Sequence, residues 1–285
     1  MTNGPTNESL TRRATANVSS EQPAPDAILE SAENGRLDGK VALVTGSSRG
    51  IGAAIVIELT RCGATVAIHG RDTKALDLVA TRIRAAGGLV TTVTGDVTNS
   101  DDLEAIRESV ENTLGPIDIL VANAGGNFTP PAPLEDIPEE GWRATIDGNL
   151  LATFLTLKCF LPGMKRRGSG SIITIASAAA RRADARTPVA YAAAKAGIIA
   201  LTQDVAAQAG ANGIRANCIA PETILTEHNQ ERIPLNLQED MAQTHPLRRL
   251  GTPEDVAHAA VFLASDQAGW ITGIVLDISG GAIMA

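Results

Sequence analysis

The 285-residue chain has a single tyrosine, Tyr191, set four positions before Lys195 in the run AYAAAKAG. Residues at i and i+4 share one helical face, so this spacing can turn a phenol and an ammonium into the same cleft. An isolated phenol titrates near pH 10 and shuttles protons poorly at neutral pH. A nearby cation favours the phenolate and pulls the phenol toward the range where acid–base catalysis is efficient. Ala192, Ala193, Ala194, Ala196 and Gly197 leave room for a ligand or a second helix near the backbone. A Tyr-Lys pair at this spacing also occurs on ordinary amphipathic helices. Here it follows Ser177 by fourteen residues, in a chain that carries a glycine-rich loop at 45–52.

That loop reads TGSSRGIG and sits between an apolar run and a helical stretch. Gly46, Gly50 and Gly52 allow a tight turn, close approach of a pyrophosphate and packing of the helix on a sheet. The helix N-terminus then offers free N–H groups and positive potential to phosphates. A P-loop would need Lys and Ser or Thr after the last glycine, but Gly52 is followed by AAI, which excludes phosphoryl transfer of that kind. The second apolar run ends in AIHGRD. Gly70 stands where an NAD enzyme places an acid for the ribose hydroxyls, and Arg71 follows. With Arg49 in the glycine loop, two guanidinium groups suit a 2′-phosphate, so NADP(H) is the preferred cofactor and NAD(H) the alternative.

The elements that must position these residues alternate regularly. Runs at 40–44, 65–68, 89–96, 117–122, 171–177, 214–220 and 274–279 read as strands, and 51–61, 74–86, 100–114, 138–164, 189–209 and 253–264 as helices. Asn99 or Ser100, and Thr252, are the expected caps. The alternation predicts the α/β class: a doubly wound parallel sheet (Rossmann fold) of about seven strands with helices on both faces and ligands at the carboxyl ends of the strands. With 44% hydrophobic residues but only four Phe, two Trp and one Tyr, the core must come from Ala, Val, Ile and Leu. The stretch 222–251 reads as one long irregular polar loop, a functional cover. Residues 1–36 read as a disordered or loosely packed extension, and 37–285 as a single domain.

The ordered set TGSSRGIG, GDV, NAG, Asn149, Ser177 and YAAAK resembles the classical short-chain dehydrogenase/reductase family, over about residues 37–281. The resemblance implies that Tyr191 is the general acid/base, that Lys195 lowers its pKa and binds the nicotinamide ribose, and that Ser177 bonds the substrate oxygen. Asn149 would hold the water of a proton relay. Gly46, Ser48, Arg49, Gly50, Ile51, Gly52 and Arg71 would form the cofactor site with Asp96 and Val97 beside the adenine. Asn123, Ala124 and Gly125, together with Pro221 and Thr226, would complete it. The implied reaction is hydride transfer between nicotinamide and a carbonyl or secondary alcohol, in a homotetramer paired through the 138–164 and 189–209 helices. The nearest flavour is the 3-oxoacyl-carrier-protein reductases; a sugar, polyol or secondary-metabolite ketone dehydrogenase and a catalytically silent nucleotide-binding regulator are the alternatives. Arg167 matches a carrier-docking position, whereas Asn212 replaces another arginine. The chain departs from the pattern at Glu222, where a glycine is usual after Pro221, and at Ala122.

Arg181, Arg182 and Arg186, between Ser177 and Tyr191, read either as contacts for an anionic substrate or as solvated loop charges. A net charge of −8 with interspersed signs argues against nucleic-acid and anionic-membrane partners. No run reads as a membrane span and the N-terminal residues lack a signal-peptide core. Cys62, Cys159 and Cys218 are scattered and the four His residues lack metal-ligand spacing, which points to a reducing, cytoplasmic setting and no metal.

Overall fold

The structure, a computed structural model, describes Met1 and residues 35–284. The expected N-terminal extension therefore lies, at positions 2–34, outside the described residues. From Gly35 onward the described residues pack as one compact unit. Strands β1 (Val41–Val44), β2 (Thr65–His69), β3 (Val90–Val93), β4 (Ile119–Ala122), β5 (Gly170–Ile175), β6 (Ile214–Pro221) and β7 (Val275–Ile278) form one sheet in the order β3-β2-β1-β4-β5-β6-β7. Every neighbouring pair is parallel. The helices are α1 (Gly50–Arg61), α2 (Thr73–Ala85), α3 (Ser100–Leu114), α4 (Glu139–Arg167), α5 (Val189–Ala209), α6 (Glu227–Arg232), α7 (Leu235–Thr244) and α8 (Pro253–Ala264).

The strands are apolar on both faces because both are covered. Successive residues alternate between two cores: Ala42, Val44, Ile119, Val121 and Ile173 pack with α1, α2 and α8, while Leu43, Leu120 and Ile172 pack with α3, α4 and α5. The order reverses at β1, whose neighbours β2 and β4 lead away to opposite sides, so the carboxyl ends of β1 and β4 open a crevice.

Local signals set several boundaries. Asn99 caps α3, its Oδ1 accepting from the amides of Asp101 and Asp102 at 2.8 and 3.3 Å. At α8 the Asp255 carboxylate accepts from the Thr252 amide at 2.8 Å and pairs with Arg249 at 2.6 Å. The long helix α4 runs three residues beyond its expected end, through Lys165–Arg167, whose charges suit a helix C-terminus, and stops at Gly168 with φ 70°. Among the described residues α4 is the one helix long and apolar enough, by composition, to cross a membrane, although the sequence showed no such run. Its Thr153, Leu157, Phe160 and Met164 are buried, which accounts for the apolar composition. The expected irregular loop at 222–251 is also corrected, since it contains α6 and α7. Thr226 caps α6 through the Asn229 amide at 3.3 Å, and Pro234 immediately precedes α7, where proline starts a helix instead of breaking one.

Candidate active site

β1 ends in the glycine loop, and neighbouring backbone fills the space a side chain would need. A Cβ on Gly46 (φ +65°) would lie 2.8 Å from Ala124 Cα, and one on Gly52 would lie 2.4 Å from the Gly46 carbonyl oxygen. Gly50 (φ +56°) approaches the Thr226 methyl. Asn123 holds the loop from β4: its Nδ2 donates to the carbonyls of Thr45 and Gly46 at 2.9 and 3.0 Å. The Thr45 hydroxyl accepts in return from the amides of Asn123 and Ala124. The result is a rigid cradle at the N-terminus of α1.

Sequence reasoning missed a further support, His69, the last residue of β2, which is 3% exposed. Its Nδ1 accepts from the Gly46 amide at 3.2 Å, and its Nε2–H donates to the Gly95 carbonyl at 3.2 Å. The imidazole must therefore be neutral, and burial holds its pKa below the ordinary histidine range. The sign follows. As pH falls through the ordinary histidine value of about 6.5, the unfolded chain takes up the proton before the folded one does. Stability from this group is full above that pH and is lost below it. Thermal unfolding of His69→Asn between pH 7 and 5 is expected to fall less steeply than that of the wild type. The difference in slope is at most about 1.4 kcal/mol per pH unit, and parallel curves for the two proteins would contradict this account.

The chemical groups converge across the crevice. Ser177 follows β5, and Tyr191 and Lys195 lie on the first turns of α5, with the Lys195 Nζ 5.5 Å from the centre of the Tyr191 ring. Lys195 is buried, donates to the Ile175 carbonyl at 2.8 Å, and is driven down to about 8 by desolvation. Tyr191 departs from expectation, because burial pushes its phenol above the ordinary value and a hydrogen bond with Ser177 offsets this only in part. The Lys195 ammonium lies against the ring and is bonded to the Ile175 carbonyl.

Asn149 is fully buried in a π-helical turn, Asp147–Leu151, within α4. Its Oδ1 accepts from the Gly126 amide at 3.1 Å, and its Nδ2 donates to the carbonyls of Gly126 and Thr145, both at 2.8 Å. The side chain is thus committed to fixing the loop after β4 and is not free to hold a relay water. The extra residue of the π turn reorients this side chain, an effect that helical periodicity does not reveal.

Two adjoining cavities gather the predicted residues. One, of about 500 Å³, is lined by Gly46, Ser48, Arg49, Arg71, Asp96, Val97, Asn123, Ala124 and Gly125, with His69, Gly70 and Phe128 besides. The other, of about 330 Å³, shares Gly46, Arg49, Asn123 and Gly125 and adds Gly50, Ile51, Gly52, Ser177, Tyr191, Lys195, Pro221 and Thr226. Of the predicted site residues only Asn149 lies behind the wall. Gly126, Ile175, Ala176, Glu222, Ile224 and residues 227–229 of α6 complete the second cavity. Asp96 accepts from the Thr98 amide and hydroxyl, which holds its carboxyl below the usual range.

The arginines have partners within the chain. Arg49 pairs with Asp72 at 2.6 Å in solvent, where water and salt screen such a contact and leave it weak. Arg181 pairs with Asp277 at 3.2 Å, Arg182 donates to the Ala282 carbonyl and Arg186 pairs with Asp184, so this loop is tied by its own contacts. Arg167 donates to the Ile117 carbonyl, an internal commitment at the position expected to dock a carrier. Among the described residues no cluster of His, Cys, Asp and Glu could hold a metal ion.

Residues 46–282 match the family described as enoyl-(acyl carrier protein) reductase. The 7alpha-hydroxysteroid dehydrogenase of Escherichia coli (strain K12) is 36% identical over 251 residues, which cover 88% of this chain and 97% of that protein. The 3-oxoacyl-acyl-carrier-protein reductase of Thermotoga maritima is 35% identical over 249 residues, covering 87% and 100%. Among solved structures, a 7 alpha-hydroxysteroid dehydrogenase complexed with NADH and 7-oxo glycochenodeoxycholic acid aligns with a TM-score of 0.84 at 36% identity, over 89% of this chain and 98% of that one. The family match runs from the glycine loop past β7 and takes in the walls of both cavities. The chain belongs to the classical short-chain dehydrogenase/reductase family, oxidoreductases that act on alcohol and carbonyl groups of small molecules and bind nicotinamide cofactors.

Proposed function

We propose that this protein is an NADP(H)-dependent oxidoreductase that interconverts a small-molecule carbonyl compound and its secondary alcohol. The observation that carries the reading is the meeting of Ser177, Tyr191 and Lys195 in one cavity that continues into the cradle around the glycine loop. The cradle suits a dinucleotide: its glycines leave room only for backbone, and the α1 N-terminus faces it. A bound nicotinamide supplies or accepts the hydride.

The chain's own residues manage the proton and the oxygen. Tyr191, held above the ordinary phenol value, stays protonated at neutral pH and can donate to a carbonyl oxygen as negative charge develops there. Ser177 is the second donor. Lys195, titrating at about 8, can give up and regain a proton close to neutrality, which suits it to exchange protons at the base of the site. Any relay water beside Asn149 would bond its backbone carbonyl, which here accepts from the Thr153 hydroxyl.

The preference for NADP(H) rests on the end of β2. A Cβ at Gly70 would come within 3.2 Å of the Ser48 side chain, so an acid for the ribose hydroxyls does not fit there without a shift. Arg71 lines the same cavity, and the exposed Arg49–Asp72 pair is weak enough for a phosphate to compete with it. Arg71→Ala is expected to weaken NADPH binding by roughly 10- to 100-fold, the worth of a charge-assisted hydrogen bond of about 1.5–3 kcal/mol, with NADH affinity unchanged. Fluorescence titration with both nucleotides checks this, and equal losses would remove the phosphate from the account.

With Arg167 bonded to Ile117 and Asn212 in place of a second arginine, a free small-molecule carbonyl is favoured over a carrier-bound thioester. A tetramer paired through α4 and α5 belongs to the same reading, supported by Phe154 exposed on α4, and light scattering would measure it. The deciding experiment is oxidation of NADPH, with NADH in parallel, against an acetoacetyl thioester and a panel of cyclic and acyclic ketones. Tight nucleotide binding without turnover of any carbonyl would favour a nucleotide-binding regulator instead.

A further inference from the structure

The segment after β6 leaves the sheet at Thr223 and returns at Gly251. Its two ends run side by side as a neck: Gly251 N–H donates to the Thr223 carbonyl at 3.1 Å, and Leu225 N–H to the Gly251 carbonyl at 2.8 Å. Between them α6 and α7 form a flap, and residues 227–229 of α6 line the cavity that holds Tyr191. This flap has almost no core of its own. Between residues 225 and 249 the only buried side chain is His245, 4% exposed, whereas Leu235, Leu237 and Leu247 are exposed. Apolar burial therefore contributes little to holding the flap in place.

Both ring nitrogens of His245 are engaged. Nδ1 lies 2.8 Å from the Met241 carbonyl oxygen at the end of α7, and Nε2 lies 2.8 Å from Glu222 Oε2 at the base of the neck. A backbone carbonyl only accepts, so Nδ1 carries a hydrogen. The Glu222 oxygen also accepts from the Thr223 amide, and a further proton lies between Nε2 and the carboxyl group, whichever of the two bears it. Glu222 is itself fixed to the sheet, its amide donating to the Ile278 carbonyl at 3.0 Å. A chain of bonds thus runs from β7 through Glu222 and His245 to the far end of α7.

We propose that Glu222 and His245 form a latch that positions the flap over the cleft, with both acting as positioning residues and neither as a catalytic one. The consequence for substrate and cofactor rests on the reading of that cleft given above; the latch itself does not. It also gives a purpose to the acidic residue that follows Pro221, because one oxygen of its carboxyl group is engaged by the flap.

The test uses the full chain with Glu222→Ala, His245→Ala, the double variant and Glu222→Gln, whose amide can donate to Nε2 of a neutral imidazole. Amide hydrogen exchange without added ligand is expected to quicken at least tenfold across 227–244 in either alanine variant, with the strands unchanged. The double variant should be no faster than either single one, because both remove the same contact. Glu222→Gln should stay near the wild type. In turnover with the best carbonyl found, KM should rise more than kcat falls in the alanine variants. Unchanged exchange in the flap, additive effects in the double variant, or a Gln variant as loose as the Ala one would overturn the latch. Exchange loosened throughout the strands would do so too, by assigning the pair to global stability. If the wild type turns over no carbonyl, the exchange result still decides the latch, while the reading of the cleft fails by itself.

Discussion

Tyr191→Phe is expected to lower kcat by about 10²- to 10⁴-fold, the range for removing a positioned general acid, and to leave the affinity for NADPH within about threefold. The ring stays, so its packing beside Lys195 is kept, and only the proton and one hydrogen-bond donor are lost. Single-turnover reduction separates the chemical step from binding and product release. A fall of less than about tenfold would move the proton donor elsewhere, with Ser177, Lys195 and water as the remaining groups. Because this is the only tyrosine in the chain, absorbance of the phenolate reads its ionisation without interference. In the protein alone the phenolate band is expected only above the ordinary range near pH 10, since burial outweighs the Ser177 bond. A band rising near neutrality would restore the simpler picture in which the lysine pulls the phenol down.

The second large effect is expected at Gly52. A methyl group there would sit 2.4 Å from the Gly46 carbonyl oxygen, 2.6 Å from Asn123 Nδ2 and 2.8 Å from Ser47 Cα. Two of these neighbours are backbone, and Asn123 is held by its bonds to Thr45 and Gly46, so nothing nearby gives way easily. Gly52→Ala must therefore push the glycine loop off α1, at a cost of about 1–3 kcal/mol in stability. Because that loop forms the cradle, nucleotide affinity is expected to fall at least 100-fold, roughly the loss of 2.7 kcal/mol of binding. Gly210→Ala is the control, since its added carbon meets nothing within 4 Å, and it should leave both quantities unchanged. Calorimetric melting and nucleotide titration of the two variants give the comparison; a stable, nucleotide-binding Gly52→Ala would mean that the loop tolerates repacking.

These predictions differ in how visible their grounds were before folding. The order of strands and helices, the α/β class, the glycine loop and the Tyr191–Lys195 spacing are all written in local patterns: short apolar runs, a helical period near four, cap residues such as Asn99, and glycines where backbone must approach backbone. Such signals act between residues a few positions apart, so they survive in the chain as text. Even there, local pattern misled where tertiary contacts had the last word. The stretch 222–251 looks irregular because its helices have no buried apolar stripe, and α4 hides a π turn that aims Asn149 at Gly126.

What only the tertiary structure decided are pairings between distant positions. His69 bonds Gly46 and Gly95, Arg167 bonds Ile117, Glu222 bonds His245, and Lys195 turns to the Ile175 carbonyl, none of which has a sequence signature. Protonation states belong to the same class. The chain placed a phenol next to an ammonium, and spacing alone argued for a lowered phenol; the desolvation that raises it depends on how completely the surrounding elements close over the site. Residue types and their spacing determine which chemistry is available to this protein, whereas burial and long-range hydrogen bonds, which exist only once the sheet and its helices have assembled, decide which groups are free to perform it.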